Sequence, residues 1–75
     1  MDRFKETVLL SFPDLDEKEY RDDLPLEKLP GWDSMTSVTF AIELQSAFGI
    51  SLAGVVLTRS LTLGEVRAIV EAKRS

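Results

Sequence analysis

The sequence predicts an all-α fold: a small bundle of four helices, three of ordinary length and a short third one. Three observations predict it. Apolar residues recur at helical spacing in three separate stretches, helix-start and helix-stop residues bracket those stretches, and strand-like alternation is sustained nowhere. A chain of 75 residues makes one domain, and 44% hydrophobic with 29% charged residues is a globular composition rather than a disordered one. So short a chain buries only about 60% of its extended surface, which leaves no depth for an enclosed catalytic pocket.

The first helix is expected over 2–12. Phe4, Val8, Leu9 and Phe12 fall at helical spacing, Asp2 is placed to cap the start, and Pro13 ends it. The stretch 13–32 reads as a long acidic loop, ordered at points. Between Asp14 and Lys28 it holds seven acids against Lys18, Arg21 and Lys28, with Leu15, Tyr20, Leu24 and Leu26 as its few apolar anchors. Pro25 and Pro30 break any long helix there and leave room for one turn over 16–21.

The second helix, over 34–48, is the clearest. Asp33 is its N-cap, Ser34 lies in its first turn, and Gly49 stands where a left-handed exit residue is expected. Met35, Val38, Ala41 and Ile42 make one apolar stripe, which Phe40, Leu44, Ala47 and Phe48 widen. Two apolar stripes on one helix imply that it is nearly enclosed, with Val38, Ile42 and Phe48 in the core. A third helix over 52–58 has two turns at most, weakened by Gly54, Val55 and Val56. The fourth, over 63–74, opens on Thr62-Leu63-Gly64-Glu65, a capping box in which Glu65 answers Thr62 from the third helical position. Leu63, Val66, Ile69 and Val70 form its core stripe, and Lys73 and Arg74 suit its C-terminal end.

Composition excludes whole classes of chemistry. With no cysteine there is no disulfide, thiolate nucleophile or zinc knuckle, and with no histidine there is no Ser-His-Asp triad and no imidazole ligand. A formal charge of −4 opposes nucleic-acid binding; the only candidate recognition helix sets Arg67, Lys73 and Arg74 against Glu65 and Glu71. Acids are plentiful, but nothing holds a pair of them around an enclosed pocket, so no enzyme is expected. The longest nearly apolar stretch, 50–58, falls far short of the roughly 20 residues of a membrane span, and 7–10 is too short for the core of a signal peptide. A cytoplasmic monomer is the default expectation. Residues 1–33 hold ten acids and five bases against three and four in 34–75, so the negative field belongs to the first part of the chain.

Ser34 is the residue on which function turns. The first turn of a helix projects from the end of the bundle, so its hydroxyl is exposed by position. No base is available to activate it, the nearest lysine in sequence being Lys28 beyond Pro30. It is either a plain helix-start residue or an acceptor that another enzyme modifies. An anion attached there would meet the unpaired N–H groups and the positive end of the helix dipole.

The surrounding string resembles the acyl and peptidyl carrier proteins, in their freestanding form. Gly31-Trp32-Asp33-Ser34-Met35, the apolar helix through Val38, Phe40, Ile42 and Leu44, the exit Phe48-Gly49-Ile50 and the box at Thr62–Glu65 follow that family's pattern over essentially the whole chain. The resemblance implies an acyl-carrier-like four-helix bundle. It also implies a 4'-phosphopantetheine on Ser34, added from coenzyme A by a Mg²⁺-dependent phosphopantetheinyl transferase, whose thiol carries an acyl or aminoacyl group as a thioester. The implied partners are that transferase, an acyl- or amino-acid-activating ligase, and a condensing or acyl-transfer enzyme. Asp33 then serves transferase recognition, or capping alone. Trp32, Met35, Thr36, Thr39, Val55, Val56 and Arg59 are the expected partner-contact residues, with Trp32 read either as a lid over the helix start or as a docking aromatic, and Met35 as either contact or core.

The chain departs from the fatty-acid members in one respect. Their second helix and the loop after it are strongly acidic, whereas here Glu43 is the only acid on that helix and the stretch 51–59 ends on Arg59 with no acid at all. Attraction to a basic partner is correspondingly weaker around Ser34, and Val55, Val56 and Leu57 suit a more apolar contact. That favours a dedicated polyketide, nonribosomal peptide or other acyl-transfer pathway over fatty-acid synthesis. An unmodified carrier-like interaction module is the alternative of a different class.

Overall fold

The computed structural model describes residues 2–74. Three α-helices carry the fold: α1 (Arg3–Ser11), α2 (Ser34–Phe48) and α3 (Leu63–Arg74), with single 3-10 turns at Glu17–Glu19 and Leu26–Lys28 in the long connection. Each helix start is satisfied by a side chain foreseen in the sequence. Asp2 accepts from the amides of Phe4 and Lys5 (3.1 and 3.3 Å), and Asp33 from that of Thr36 (2.8 Å). Thr62 and Glu65 exchange bonds of 3.2 and 3.0 Å. Gly49 ends α2 at φ 63°, a conformation that favours glycine, while its N–H reaches the Gln45 carbonyl.

All three helices contribute to one core. Phe4 and Val8 of α1, Phe40 and Leu44 of α2, and Leu63, Val66 and Val70 of α3 are buried, with Phe12 just past the end of α1. Phe40 is the hinge of this packing. It meets Phe4 and Phe12 edge-on at centroid distances of 6.5 and 5.5 Å, the arrangement that ring quadrupoles favour.

The acidic connection is ordered by its leucines. Leu15, Leu24, Leu26 and Leu29 are buried, and Tyr20 packs against the core. Its backbone is stitched antiparallel to the approach of α3: the amides of Leu26 and Glu27 donate to the carbonyls of Leu61 and Arg59 (2.8 and 3.1 Å). The amides of Leu63 and Gly64, which open α3, donate to the carbonyls of Leu24 and Asp22 (3.0 and 2.7 Å), so orphan donors of the first turn are served by the loop. Gly64 suits this close approach, because a Cβ there would stand 3.0 Å from the Asp22 carbonyl oxygen.

Two expectations are corrected. The third helix over 52–58 is absent: a turn closed by the Val55 amide on the Leu52 carbonyl (2.9 Å) occupies its start, with Gly54 at φ 82°, and 55–58 runs on without helix, turn or bend. A left-handed residue in mid-segment prevents a helix from propagating, and β-branched Val55 and Val56 give it little to propagate with. The bundle thus has three α-helices among the described residues, not four. Nor is α2 enclosed. Val38 and Ile42, expected in the core, are 59% and 55% exposed, and Phe48 is only partly buried. At 3.6 residues per turn, Met35, Val38 and Ile42 lie roughly opposite Phe40 and Leu44, and no further helix among the described residues covers that side.

Candidate functional site

At the start of α2 the capping work is done without Ser34. The Asp33 amide donates to the Thr36 hydroxyl (2.7 Å) and the Thr36 amide returns to the Asp33 carboxylate (2.8 Å). The Thr36 hydroxyl in turn points to the carbonyls of Gly31 and Asp33, both at 3.1 Å. The bond from the Thr36 amide, foremost, lowers the Asp33 carboxyl from its ordinary value. Ser34 is exposed at the first position of the helix, and its own hydroxyl takes no part in the cap. Its carbonyl accepts from the Ser37 hydroxyl at 2.8 Å. What remains at this helix start is a primary hydroxyl open to solvent beside the positive end of a 15-residue helix.

The expected partner-contact residues divide. Met35 and Val56 are 76% and 75% exposed, and Arg59 is exposed too. Thr39 is exposed, with its hydroxyl turned back to the Met35 carbonyl (3.1 Å). Thr36 is partly buried, and its amide and hydroxyl are engaged in the cap. Trp32 is partly buried, with its ring 6.1 Å from that of Phe12, centroid to centroid. Val55 is half-buried along one side of a shallow hollow of about 200 Å³ between α2 and 55–57, lined also by Ser37, Val38, Ala41, Val56 and Leu57.

The sequence reading missed that Val38 and Ile42 belong to this outer surface. A signal was available: one helix carried two opposed apolar stripes, and few other apolar segments stand beside it to cover both. It also missed Arg67, which joins α1 to the acidic connection. Its guanidinium bonds the Asp2 carboxylate at 2.6 and 3.2 Å and the Tyr20 hydroxyl at 2.8 Å, and lies 4.9 Å from the Phe4 ring centroid. The bond from Arg67 is the main cause that lowers the Asp2 carboxyl, whereas burial raises the Tyr20 phenol.

A larger hollow, about 360 Å³, opens at the far end of α2 between Arg3, Ala47, Phe48 and Arg74. Its cations already have work: Arg3 donates to the Ala47 carbonyl (3.0 Å), and Arg74 covers the Phe48 ring and pairs with Glu71 (3.3 Å). Among the described residues no cluster of acids could hold a metal ion, and no helix is long and apolar enough to cross a membrane. Comparison with protein-family models, with curated proteins and with solved structures finds no match to this chain.

Proposed function

We infer that this chain is a carrier domain in which Ser34 accepts a 4'-phosphopantetheine arm from coenzyme A. The observation that carries the reading is the position of the Ser34 hydroxyl: exposed on the first residue of α2, and left out of a cap that Asp33 and Thr36 complete between them. The donor set fits the group. A phosphodiester on Ser34 meets the N-terminal field of α2, and the neighbouring carboxylate of Asp33 is already engaged by the Thr36 amide. When bound, the arm supplies a thiol, which this cysteine-free chain lacks, to hold an acyl or aminoacyl group as a thioester.

The chain's own residues present and orient the attachment point. Trp32 on Phe12 and the Asp33–Thr36 box hold the helix start rigid, so the arm swings from a fixed root and raises the local concentration of its load at a partner's active site. The partners are a phosphopantetheinyl transferase, an activating ligase for an acyl or amino acid, and a condensing or acyl-transfer enzyme. Glu43 as the sole acid of α2 favours a dedicated pathway over fatty-acid synthesis.

The test is intact mass after incubation with coenzyme A, Mg²⁺ and a broad-specificity transferase, beside Ser34→Ala. One added phosphopantetheine in the parent and none in the variant is the expected result. No gain on a folded chain with several transferases points instead to an unmodified interaction module, a reading that the exposed apolar side of α2 also favours.

A further inference from the structure

We propose that the hollow at the far end of α2, between Arg3, Ala47, Phe48 and Arg74, is a binding site for a phosphate group. It stands apart from Ser34 and does not rest on the carrier reading: a helix of 15 residues puts it roughly 20 Å from that hydroxyl. Its volume, about 360 Å³, falls within the range of small-molecule sites, roughly 300–1,000 Å³. The accessible lining is mainly polar, which suits a charged ligand better than an apolar one. The chain holds 13 acids and 9 bases, yet this lining takes two of the bases and none of the acids.

Both guanidiniums are set in place by the protein and keep donors for a ligand, since each offers a fork of several N–H groups. Arg3 uses one on the Ala47 carbonyl (3.0 Å), which also offsets the negative end of α2 that would repel an anion. Among the described residues Arg3 makes no ion pair, so its charge is uncompensated. Arg74 uses one donor on Glu71 (3.3 Å) and lies over the Phe48 ring, 5.4 Å from its centroid, so its head group is held by packing. Both side chains are open to solvent. Two such forks on one hollow select a phosphate. A carboxylate has its oxygens in one plane and serves one fork, whereas a phosphate monoester brings nearly two negative charges and three acceptor oxygens. Occupancy ties the first residue of α1 to the last of α3 and to the end of α2, so the bound group stabilises the bundle.

The experiment titrates the full chain with inorganic phosphate in exchange for chloride at a constant ionic strength of about 0.2 M, read by amide shifts and thermal midpoint. Saturation with a Kd of order 1–10 mM is expected, with the shifts gathered at Arg3, Ala47, Phe48 and Arg74. Arg3→Gln and Arg74→Gln should each weaken binding about tenfold, and Arg3→Lys and Arg74→Lys, which keep the charge but lose the fork, at least about threefold. The lysine variants carry the test where a glutamine variant does not fold. Arg21→Gln, the same loss of charge on the acidic connection, should stay within about twofold of the parent. No saturation up to about 50 mM, acetate bound as tightly as phosphate, or an equal loss in Arg21→Gln would each overturn the proposal. Ribose 5-phosphate and phosphatidylcholine vesicles carrying phosphatidic acid then assign the source. Tighter binding of the first marks a soluble ester, of the second a lipid headgroup, and of neither the free ion. A failure of Ser34 to gain mass bears on the carrier reading alone.

Discussion

Leu44 and Ile42 stand two residues apart on α2, and truncating each in turn measures which side of that helix supports the fold. Leu44 is fully buried and Ile42 is 55% exposed. Either change to Ala removes three carbons, about 0.8 kcal/mol each when fully withdrawn from water. For Leu44 that is roughly 2.5 kcal/mol, and the cavity left in the core raises the loss to about 3–4 kcal/mol. For Ile42 less than half of the transfer term applies, about 1 kcal/mol, and the better helix propensity of Ala returns a few tenths. A domain of this length has about 4–11 kcal/mol of stability in all, so Leu44→Ala takes a large share of it and Ile42→Ala little. In urea unfolding followed by far-ultraviolet circular dichroism, the Leu44 variant should melt far earlier at an unchanged slope. Its thermal midpoint should fall by roughly 12–32 °C, against a few degrees for Ile42. Equal losses, or a larger one at Ile42, would refute the assignment of inner and outer sides.

Three further outcomes follow from the caps and close contacts. Ser34→Ala should leave the unfolding midpoint within error, because the cap is made by Asp33 and Thr36, whereas Asp33→Ala should lower it; both are read from the same urea curves. The Asp2 carboxyl is lowered in the folded chain, chiefly by Arg67, so its contribution is complete above the ordinary carboxylate range near 3.8 and is lost as pH falls through the lower folded value. Both partners being partly exposed, that contribution is at most about 1 kcal/mol. Asp2→Asn should therefore flatten the acid limb of the stability profile, and an unchanged limb would remove Asp2 from the account. Gly64→Ala should cost about 1 kcal/mol despite Ala's helix propensity, since the new Cβ crowds the Asp22 carbonyl at 3.0 Å and loosens the bond that the Gly64 amide makes to it; a gain in thermal midpoint would contradict this.

Much of the local structure was legible because it is set by neighbours in sequence. Asp2, Asp33 and Thr62 cap helices within three residues of themselves, and Gly49 ends α2 by its own backbone freedom. Ser34 lies at a helix start, as that local logic puts it, and Met35, read as either contact or core, is exposed. Periodicity misled where it was ambiguous. Two opposed stripes on α2 both looked like core, and only the count of elements available to cover them separates Phe40 and Leu44 from Val38 and Ile42. The apolar stretch after Gly49 was read as a short helix, although its backbone turns at Gly54.

By itself, then, the sequence determined an α-helical domain, the places where its long helices begin and end, and an exposed serine at the head of the second. Those follow from capping chemistry and backbone freedom, which act over three or four residues. Tertiary structure alone decided which apolar stripe of α2 is buried. It also decided that the acidic connection is stitched to the approach of α3, and that Arg67 gathers Asp2, Tyr20 and Phe4 from distant parts of the chain. Each of these depends on what else arrives at the same place in space, where only one side of a helix can be covered by so few elements.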